Sequence, residues 1–270
     1  MVSTDIAALL ARRPLGLVFD IDGTLSPIAA TPGEAQLYPG IAALLERAKR
    51  HAHVAIITGR AVADGARMVN VDGLTYIGTH GLEWCDGLPS RTPVQLLPEA
   101  MKYVEAGRYL LDLAEKEQMP GIFVERKSVG GAIHYRLAPN PEQARQSILD
   151  LLEEPAQQVH MKLSEGKRVI EVRVPLHVNK GQALRSFAQR YQLQGILFAG
   201  DDRTDIDALK EVELLRSEGV RALGVAVQHS DTLDELLAHA DIVVHEVAGM
   251  AELLRRIVAE LEELDQRGRS

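Results

Sequence analysis

The stretch Leu15-Gly-Leu-Val-Phe19 runs directly into Asp20-Ile-Asp-Gly-Thr-Leu25. Five apolar residues without polar alternation form the pattern of a strand buried on both faces, as in a parallel sheet. The run stops on two carboxylates one residue apart, followed by the turn signal Asp22-Gly23. Polar chemistry just past the carboxyl end of a buried strand is where doubly wound sheets hold their ligands.

The same arrangement repeats outward from this stretch. An amphipathic helix is predicted over Gly40–His51, with Ile41, Leu44, Leu45 and Ala48 on one face, followed by the strand His53–Ile57 and Thr58-Gly-Arg60. A further helix leads to the strand Thr75–Thr79. Beyond Lys180 a helix reaches Tyr191, and the strand Gly195–Ala199 ends in Gly200-Asp-Asp202. Strands near Ala222–Val227 and Asp241–His245 alternate with helices. The fold class is therefore α/β, a doubly wound parallel sheet. The middle reads differently, as a helix over Glu99–Glu117, strands Gly121–Arg126 and Ala132–Arg136, a helix Pro141–Glu153, and strands Gln158–Leu163 and Arg168–Val174. That order suits an inserted α+β module at 98–174, within a core formed by 1–97 and 175–270.

Bulk properties narrow the function. A chain of 270 residues can hold such a core and a smaller domain. Its net charge of −8 argues against general binding to nucleic acid or an anionic membrane, which need a basic footprint. Cys85 is the only cysteine, which rules out an intrachain disulfide and a cysteine-cluster metal site. The opening residues carry no basic, signal-like start and no stretch is long enough to span a membrane, so a cytoplasmic location is expected.

Four polar elements fall at strand ends or at a helix start. Phosphate-ester hydrolysis needs charge neutralisation, an activated nucleophile and a proton donor for the leaving oxygen. Asp20 can attack phosphorus, and Asp22 can protonate the leaving group and then activate water. Thr58 can hold a phosphoryl oxygen, and Lys180 can set a cation beside it. Asp201, with Asp202 or Asp205 behind it, can complete an all-oxygen Mg²⁺ site with Asp20. Each element has a plainer reading. Asp-Gly is usually a turn, Gly200-Asp-Asp202 and Thr58-Gly-Arg60 can cap helices, and a single lysine is usually solvated. The joint pattern, in order and at strand ends, favours chemistry.

These residues resemble the haloacid dehalogenase superfamily, in Asp20-Ile-Asp-Gly-Thr-Leu25, Thr58, Lys180 and Gly200-Asp-Asp-Arg-Thr-Asp205. The resemblance implies a covalent nucleophile at Asp20 and magnesium held by Asp20, the backbone carbonyl of Asp22, and Asp201. Asp22 speaks against a dehalogenase, which has no acid at that place. The insert between Thr58 and Lys180 is similar to the caps of sugar-phosphate phosphatases. Within these, Gly78-Thr-His-Gly-Leu-Glu83, Glu125-Arg-Lys127, His134-Tyr-Arg136, Lys167 with Glu171, and Asn179-Lys-Gly181 are similar to the trehalose-6-phosphate phosphatase family.

That resemblance implies sugar contacts from Glu125, Lys127, Lys167 and Glu171, and a phosphate or cap-closure contact from Arg136. It also implies that His80, Gly81 and Asn179 line the cleft. Read without the resemblance, the spacing of the charged cap residues favours a solvated strand face with cross-strand ion pairs. His51, His53, His134 and Tyr135 read as packing residues, and Trp84 as core. The expected partner is a small sugar phosphate, trehalose 6-phosphate, split to trehalose and phosphate. Sucrose 6-phosphate, glucosylglycerol phosphate and mannosyl-phosphoglycerate are the alternatives, as is a catalytically silent sugar-phosphate-binding regulator. Any synthase partner is expected on a separate chain.

Overall fold

The computed structural model describes residues 4–29, 32–166 and 168–269. The chain divides into two compact units, Met1–Gln95 with Val178–Ser270, and Leu96–His177.

In the first unit, strand β1 (Leu15–Phe19) is buried along its whole length, as its unbroken apolar run requires. Helix α1 (Thr4–Leu10) precedes it. Helix α2 (Ile41–Ala48), β2 (His53–Ile57), α3 (Val62–Val69), β3 (Thr75–Gly78), β4 (Glu83–Asp86) and the two-residue β5 (Gln95–Leu96) follow. The second half contributes α7 (Lys180–Arg190), β10 (Gly195–Gly200), α8 (Arg203–Ser217), β11 (Arg221–Gln228), α9 (Asp234–Ala238), β12 (Ile242–His245) and α10 (Glu246–Arg269). The sheet order is β12-β11-β10-β1-β2-β3-β4-β5. β1 pairs in parallel with β10 on one side and β2 on the other, so the strand order reverses at its carboxyl end. That reversal opens the crevice in which such sheets bind ligands.

Alternation along β1 divides the core into two layers. Leu15, Leu17 and Phe19 join the cluster formed with α1, α2, α3 and α10, whereas Val18 joins the cluster formed with α7 and α8. Each layer is built from side chains with essentially no exposed surface.

The second unit holds α4 (Pro98–Met101), α5 (Val104–Lys116), β6 (Phe123–Arg126), β7 (Gly131–His134), α6 (Pro141–Gln158), β8 (Lys162–Gly166) and β9 (Val169–Arg173). Its antiparallel sheet runs β6-β7-β9-β8. Ile133, Ile170 and Val172 are buried on the face that receives α5 and α6. On the same face Arg126 reaches Asp112 and Glu115 of α5, and Arg145 of α6 reaches Glu165.

Three elements depart from the sequence reading. The continuous helix expected over Glu99–Glu117 breaks between α4 and α5, where Tyr103 takes up φ −99° and ψ −2°. Helix α6 runs through Pro155 to Gln158 and closes with the Val159 N–H on the Pro155 carbonyl, so the following strand begins only at Lys162. Glu83–Asp86, for which no strand was expected, forms one antiparallel to β3. No described helix is long and apolar enough to cross a membrane.

Candidate active site

Asp20 follows the last residue of β1, and its N–H donates to the Ala199 carbonyl of β10. Asp201 follows β10 at the same level, and Thr58 follows β2, with its N–H on the Ile77 carbonyl. Parallel register therefore brings together at one sheet edge residues that lie far apart in sequence. Lys180 is the first residue of α7, whose start is capped by Asn179 Oδ1 accepting from the Gln182 N–H at 2.9 Å. Only 2% of the Lys180 surface is exposed.

The lysine joins two carboxylates. Lys180 Nζ donates to Asp20 Oδ1 at 2.8 Å and to Asp205 Oδ1 at 2.7 Å. The other oxygen of Asp205 accepts from the N–H groups of Asp201 and Asp202, each at 3.1 Å. Asp202 caps α8 by accepting from the Thr204 N–H at 2.8 Å. The plain capping reading of Gly200-Asp-Asp202 thus describes Asp202, while Asp201 turns inward. Thr24 Oγ1 donates to Asp201 Oδ1 at 3.2 Å.

Asp20, Asp201 and Asp205 offer oxygens all within 4.8 Å of one another, and all three residues are buried. Burial pushes the Asp20 carboxyl up to about 7, with Asp201 adding to the rise while Lys180 opposes it. Asp201 is likewise pushed up to about 7, by burial first and then by the charges of Asp205 and Asp202. Asp205 stands well above its usual range for the same leading cause. Burial opposes the Lys180 charge, yet Asp20 and Asp205 outweigh it and raise the ammonium's pKa. One lysine against three gathered carboxylates leaves an excess of negative charge, and an all-oxygen donor set suits a hard divalent cation. Asp205 is committed to Lys180 and two backbone N–H groups, so Asp20 and Asp201 form the pair best placed for such a cation.

Asp22 stands apart from this trio. Arg60 grips its carboxylate in a two-point fork, Nε to Oδ2 at 2.7 Å and Nη2 to Oδ1 at 2.6 Å. Any metal role for Asp22 therefore falls to its backbone carbonyl, as the resemblance implied. Thr58 is buried, and its Oγ1 accepts the Arg60 N–H at 3.1 Å, which leaves its own hydrogen available to donate.

Sequence reasoning assigned no role to Arg60 or His229, and it met Glu83 only as the last residue of the Gly78-to-Glu83 match. His229 Nε2 lies 2.7 Å from the Gly23 carbonyl, and its Nδ1 lies 2.9 Å from Glu246 Oε2. Burial opposes protonation of the ring, yet these acceptors and Asp201 raise its pKa. Glu83 is buried and accepts from the Val62 N–H at 2.7 Å and Thr79 Oγ1 at 3.0 Å. It anchors a turn in which Thr79, His80 and Gly81 all have positive φ. For a β-branched threonine this is an uncommon conformation, of the kind that clusters at functional sites. The His80 ring lies against Gly59, where a Cβ would sit 2.8 Å from its Cε1. Gly81 packs towards Val178 and Ala183.

In the second unit, strand register decides which charged residues share a face. Glu125 pairs with Ala132, Ala132 with Glu171, and Glu171 with Ser164. All four stand on the face opposite α5 and α6, with the two glutamates two strand spacings apart, about 10 Å. Lys127 is two residues past Glu125, and its N–H donates to the Gly130 carbonyl across the turn. Arg136 is exposed just past β7. Lys167 lies outside the described residues. Of the residues read as packing, Tyr135 is buried, but His134 is partly exposed and its Nε2 lies 3.0 Å from Glu125 Oε2. Trp84 is only partly buried, with the Arg190 guanidinium 5.7 Å from its ring centre.

A family model described as trehalose-phosphatase matches residues 18–236 of this chain. The chain belongs to the trehalose-phosphatase family. The trehalose-phosphate phosphatase of Mycobacterium avium (strain 104) is 31% identical over 260 residues, covering 94% of this chain and 64% of that protein. This chain thus spans just under two thirds of the length of that relative. The solved structure of a trehalose-6-phosphate phosphatase related protein superposes with a TM-score of 0.71 at 25% identity, covering 93% of this chain and 99% of the other. The C-terminal domain of trehalose-6-phosphate phosphatase from C. albicans superposes with a TM-score of 0.69 at 20% identity, covering 96% and 97%. That second likeness bears on the fold alone.

Proposed function

We propose that this chain is a Mg²⁺-dependent phosphatase that hydrolyses trehalose 6-phosphate to trehalose and phosphate through an aspartyl-phosphate on Asp20. The observation that carries this reading is the buried Asp20 carboxylate, 2.8 Å from a buried lysine and grouped with Asp201 and Asp205, in a member of this family. Asp20 and Asp201, with the backbone carbonyl of Asp22, would hold Mg²⁺. When bound, the ion supplies positive charge that offsets the substrate's phosphate and the developing charge on it.

The chain's own groups account for the bond changes. An oxygen of Asp20 forms a bond to phosphorus as the bond from phosphorus to the sugar oxygen breaks. Asp22 delivers a proton to that oxygen, and trehalose leaves. Asp22, now ionised, takes a proton from water, whose oxygen attacks phosphorus and releases Asp20 and phosphate. Lys180 and Thr58 hold phosphoryl oxygens, and Lys180 also keeps Asp20 in line. In the second unit Glu125, Lys127, Lys167 and Glu171 bind sugar hydroxyls, and Arg136 contributes a phosphate or cap-closure contact. Glu125 and Glu171, about 10 Å apart on one face, suit a ligand of disaccharide length. In the first unit His80, Gly81 and Asn179 are the further substrate-binding residues.

The test is phosphate release from a panel of trehalose, sucrose, glucosylglycerol and mannosylglycerate phosphates, each with Mg²⁺ and after exhaustive metal removal. Release confined to trehalose 6-phosphate with Mg²⁺ supports the reading. Preference for another sugar redirects it, and full turnover in excess chelator refutes the metal assignment.

A further inference from the structure

β6 and β7 pair Phe123 directly with His134, and their rings lie 5.9 Å apart between centres at an angle of 34°. One step along the ladder, His134 Nε2 sits 3.0 Å from Glu125 Oε2. A carboxylate only accepts, so the imidazole is the donor. Phe123 is 63% exposed, whereas Ile133 and Ile170 on the opposite face of the same sheet are fully buried. Register sets Phe123, Glu125, His134 and Glu171 on the one face that carries no helix of this unit.

Two features of this patch point to a sugar. A pyranose presents a face of C–H bonds that lies well on an aromatic ring, and its ring hydroxyls project sideways to acceptors. An exposed aromatic beside a small number of fixed polar groups matches that shape. Moreover, one oxygen of Glu125 is already engaged by His134, which fixes the rotamer of a long side chain that would otherwise lose freedom on binding.

We infer that Phe123 is a stacking platform for a pyranose ring of the substrate and that His134 is a positioning residue that holds Glu125 towards the sugar hydroxyls. The inference rests on the proposed sugar-phosphate reading. It assigns to that reading two residues that contribute nothing to bond cleavage.

The test measures kcat and KM of the full chain with Mg²⁺ on trehalose 6-phosphate and on acetyl phosphate, which has neither a sugar nor an aryl ring to stack. Phe123→Ala and His134→Ala should each raise KM for trehalose 6-phosphate by roughly 3–10-fold, the order of one aromatic contact for Phe123 and of a partial loss of the Glu125 contact for His134. Values of kcat, acetyl phosphate turnover and thermal midpoint should stay at wild-type levels. Phe123→Tyr, which keeps the ring, and His134→Gln, which keeps an N–H donor, should restore KM. Unchanged KM in both alanine variants, or equal losses on both substrates, overturns the inference while leaving the phosphatase reading intact. A wild-type protein that splits acetyl phosphate but not trehalose 6-phosphate overturns the sugar reading, and this inference with it.

Discussion

Arg60 holds Asp22 by a two-point fork, with Nε and Nη2 each within 2.7 Å of a different carboxylate oxygen. The fork fixes the plane of the carboxyl group proposed to pass a proton to the leaving sugar. Arg60 itself is largely buried, with 15% of its side chain exposed, so the pair is shielded on one side. Only a planar guanidinium can make both contacts at once, and an ammonium cannot reproduce them.

Arg60→Ala should therefore lower kcat for trehalose 6-phosphate by roughly 10–100-fold, part of the 10²–10⁴-fold that a positioned general acid contributes. Arg60→Lys should recover little of it. Acetyl phosphate, whose leaving group needs no proton, should be affected far less. Steady-state kinetics on both substrates check this. Equal losses on the two would move Arg60 from Asp22 to the phosphate.

Glu125 separates the sugar assignment from the phosphate chemistry, since it lies on a unit that bond cleavage does not use. A hydrogen bond to a charged group is worth about 1.5–3 kcal/mol, so Glu125→Ala should cut kcat/KM for trehalose 6-phosphate by about 10–150-fold. Acetyl phosphate turnover should hardly change. A loss shared by both substrates would assign Glu125 to catalysis or stability, and no loss would return it to an ordinary solvated strand.

Much of the first unit was legible because its strands are buried on both faces. β1 spans its apolar run and β2 ends where its own does, and the alternation of strand and helix fixes the α/β class. The carboxylates were legible through their position after those runs. What the sequence hid is long-range. Arg60 and Asp22 lie 38 positions apart, and His229 and Gly23 lie 206 apart, so only the folded sheet brings each pair together. The anchoring role of Glu83 was hidden for another reason, because its partners are a backbone N–H and a threonine in a positive-φ turn that no periodicity announces. The continuation of α6 through Pro155 shows tertiary packing overriding local propensity.

The raised carboxyls make stability depend on pH in a definite direction. Asp20 and Asp201 are both pushed up to about 7, chiefly by burial. Between about pH 4 and 7 the folded chain keeps protons that the unfolded chain has released. Their contribution to stability is full below about pH 4 and is lost as pH rises through about 7. Mg²⁺ held as proposed by Asp20 and Asp201 would bind only their ionised forms and so compensate in that same range. The Mg²⁺-induced rise in Tm should be small at pH 5 and grow steadily to pH 8. Thermal melts in chelator and in excess Mg²⁺ measure it, and an increment independent of pH would contradict the assignment of the cation to Asp20 and Asp201.

Gly23, whose N–H donates to the Ser26 carbonyl and whose own carbonyl faces His229 Nε2, also packs directly against Asp201. Its φ is +83°, and a Cβ there would lie 1.9 Å from Asp201 Oδ2 and 2.3 Å from Asp201 Cγ. Any side chain must therefore displace the Asp201 carboxylate, which is fixed from other sides by Thr24 and backed by Asp205. Gly23→Ala has two costs, the left-handed backbone, about 1–2 kcal/mol, and the displacement of Asp201. Gly219 separates them, because its φ is +97° and a Cβ there meets nothing within 4 Å. Gly219→Ala should lower Tm by a few degrees through strain alone while keeping both turnover and the Mg²⁺-induced shift in Tm. Gly23→Ala should lower Tm at least as much, abolish that shift, and reduce turnover of trehalose 6-phosphate and acetyl phosphate alike, by about 100-fold or more. Calorimetric Mg²⁺ binding to both variants reads the difference without relying on activity. Wild-type Mg²⁺ affinity in Gly23→Ala would mean that Asp201 can leave its observed place without loss of the cation, and Asp201 would then have to be dropped from the metal site.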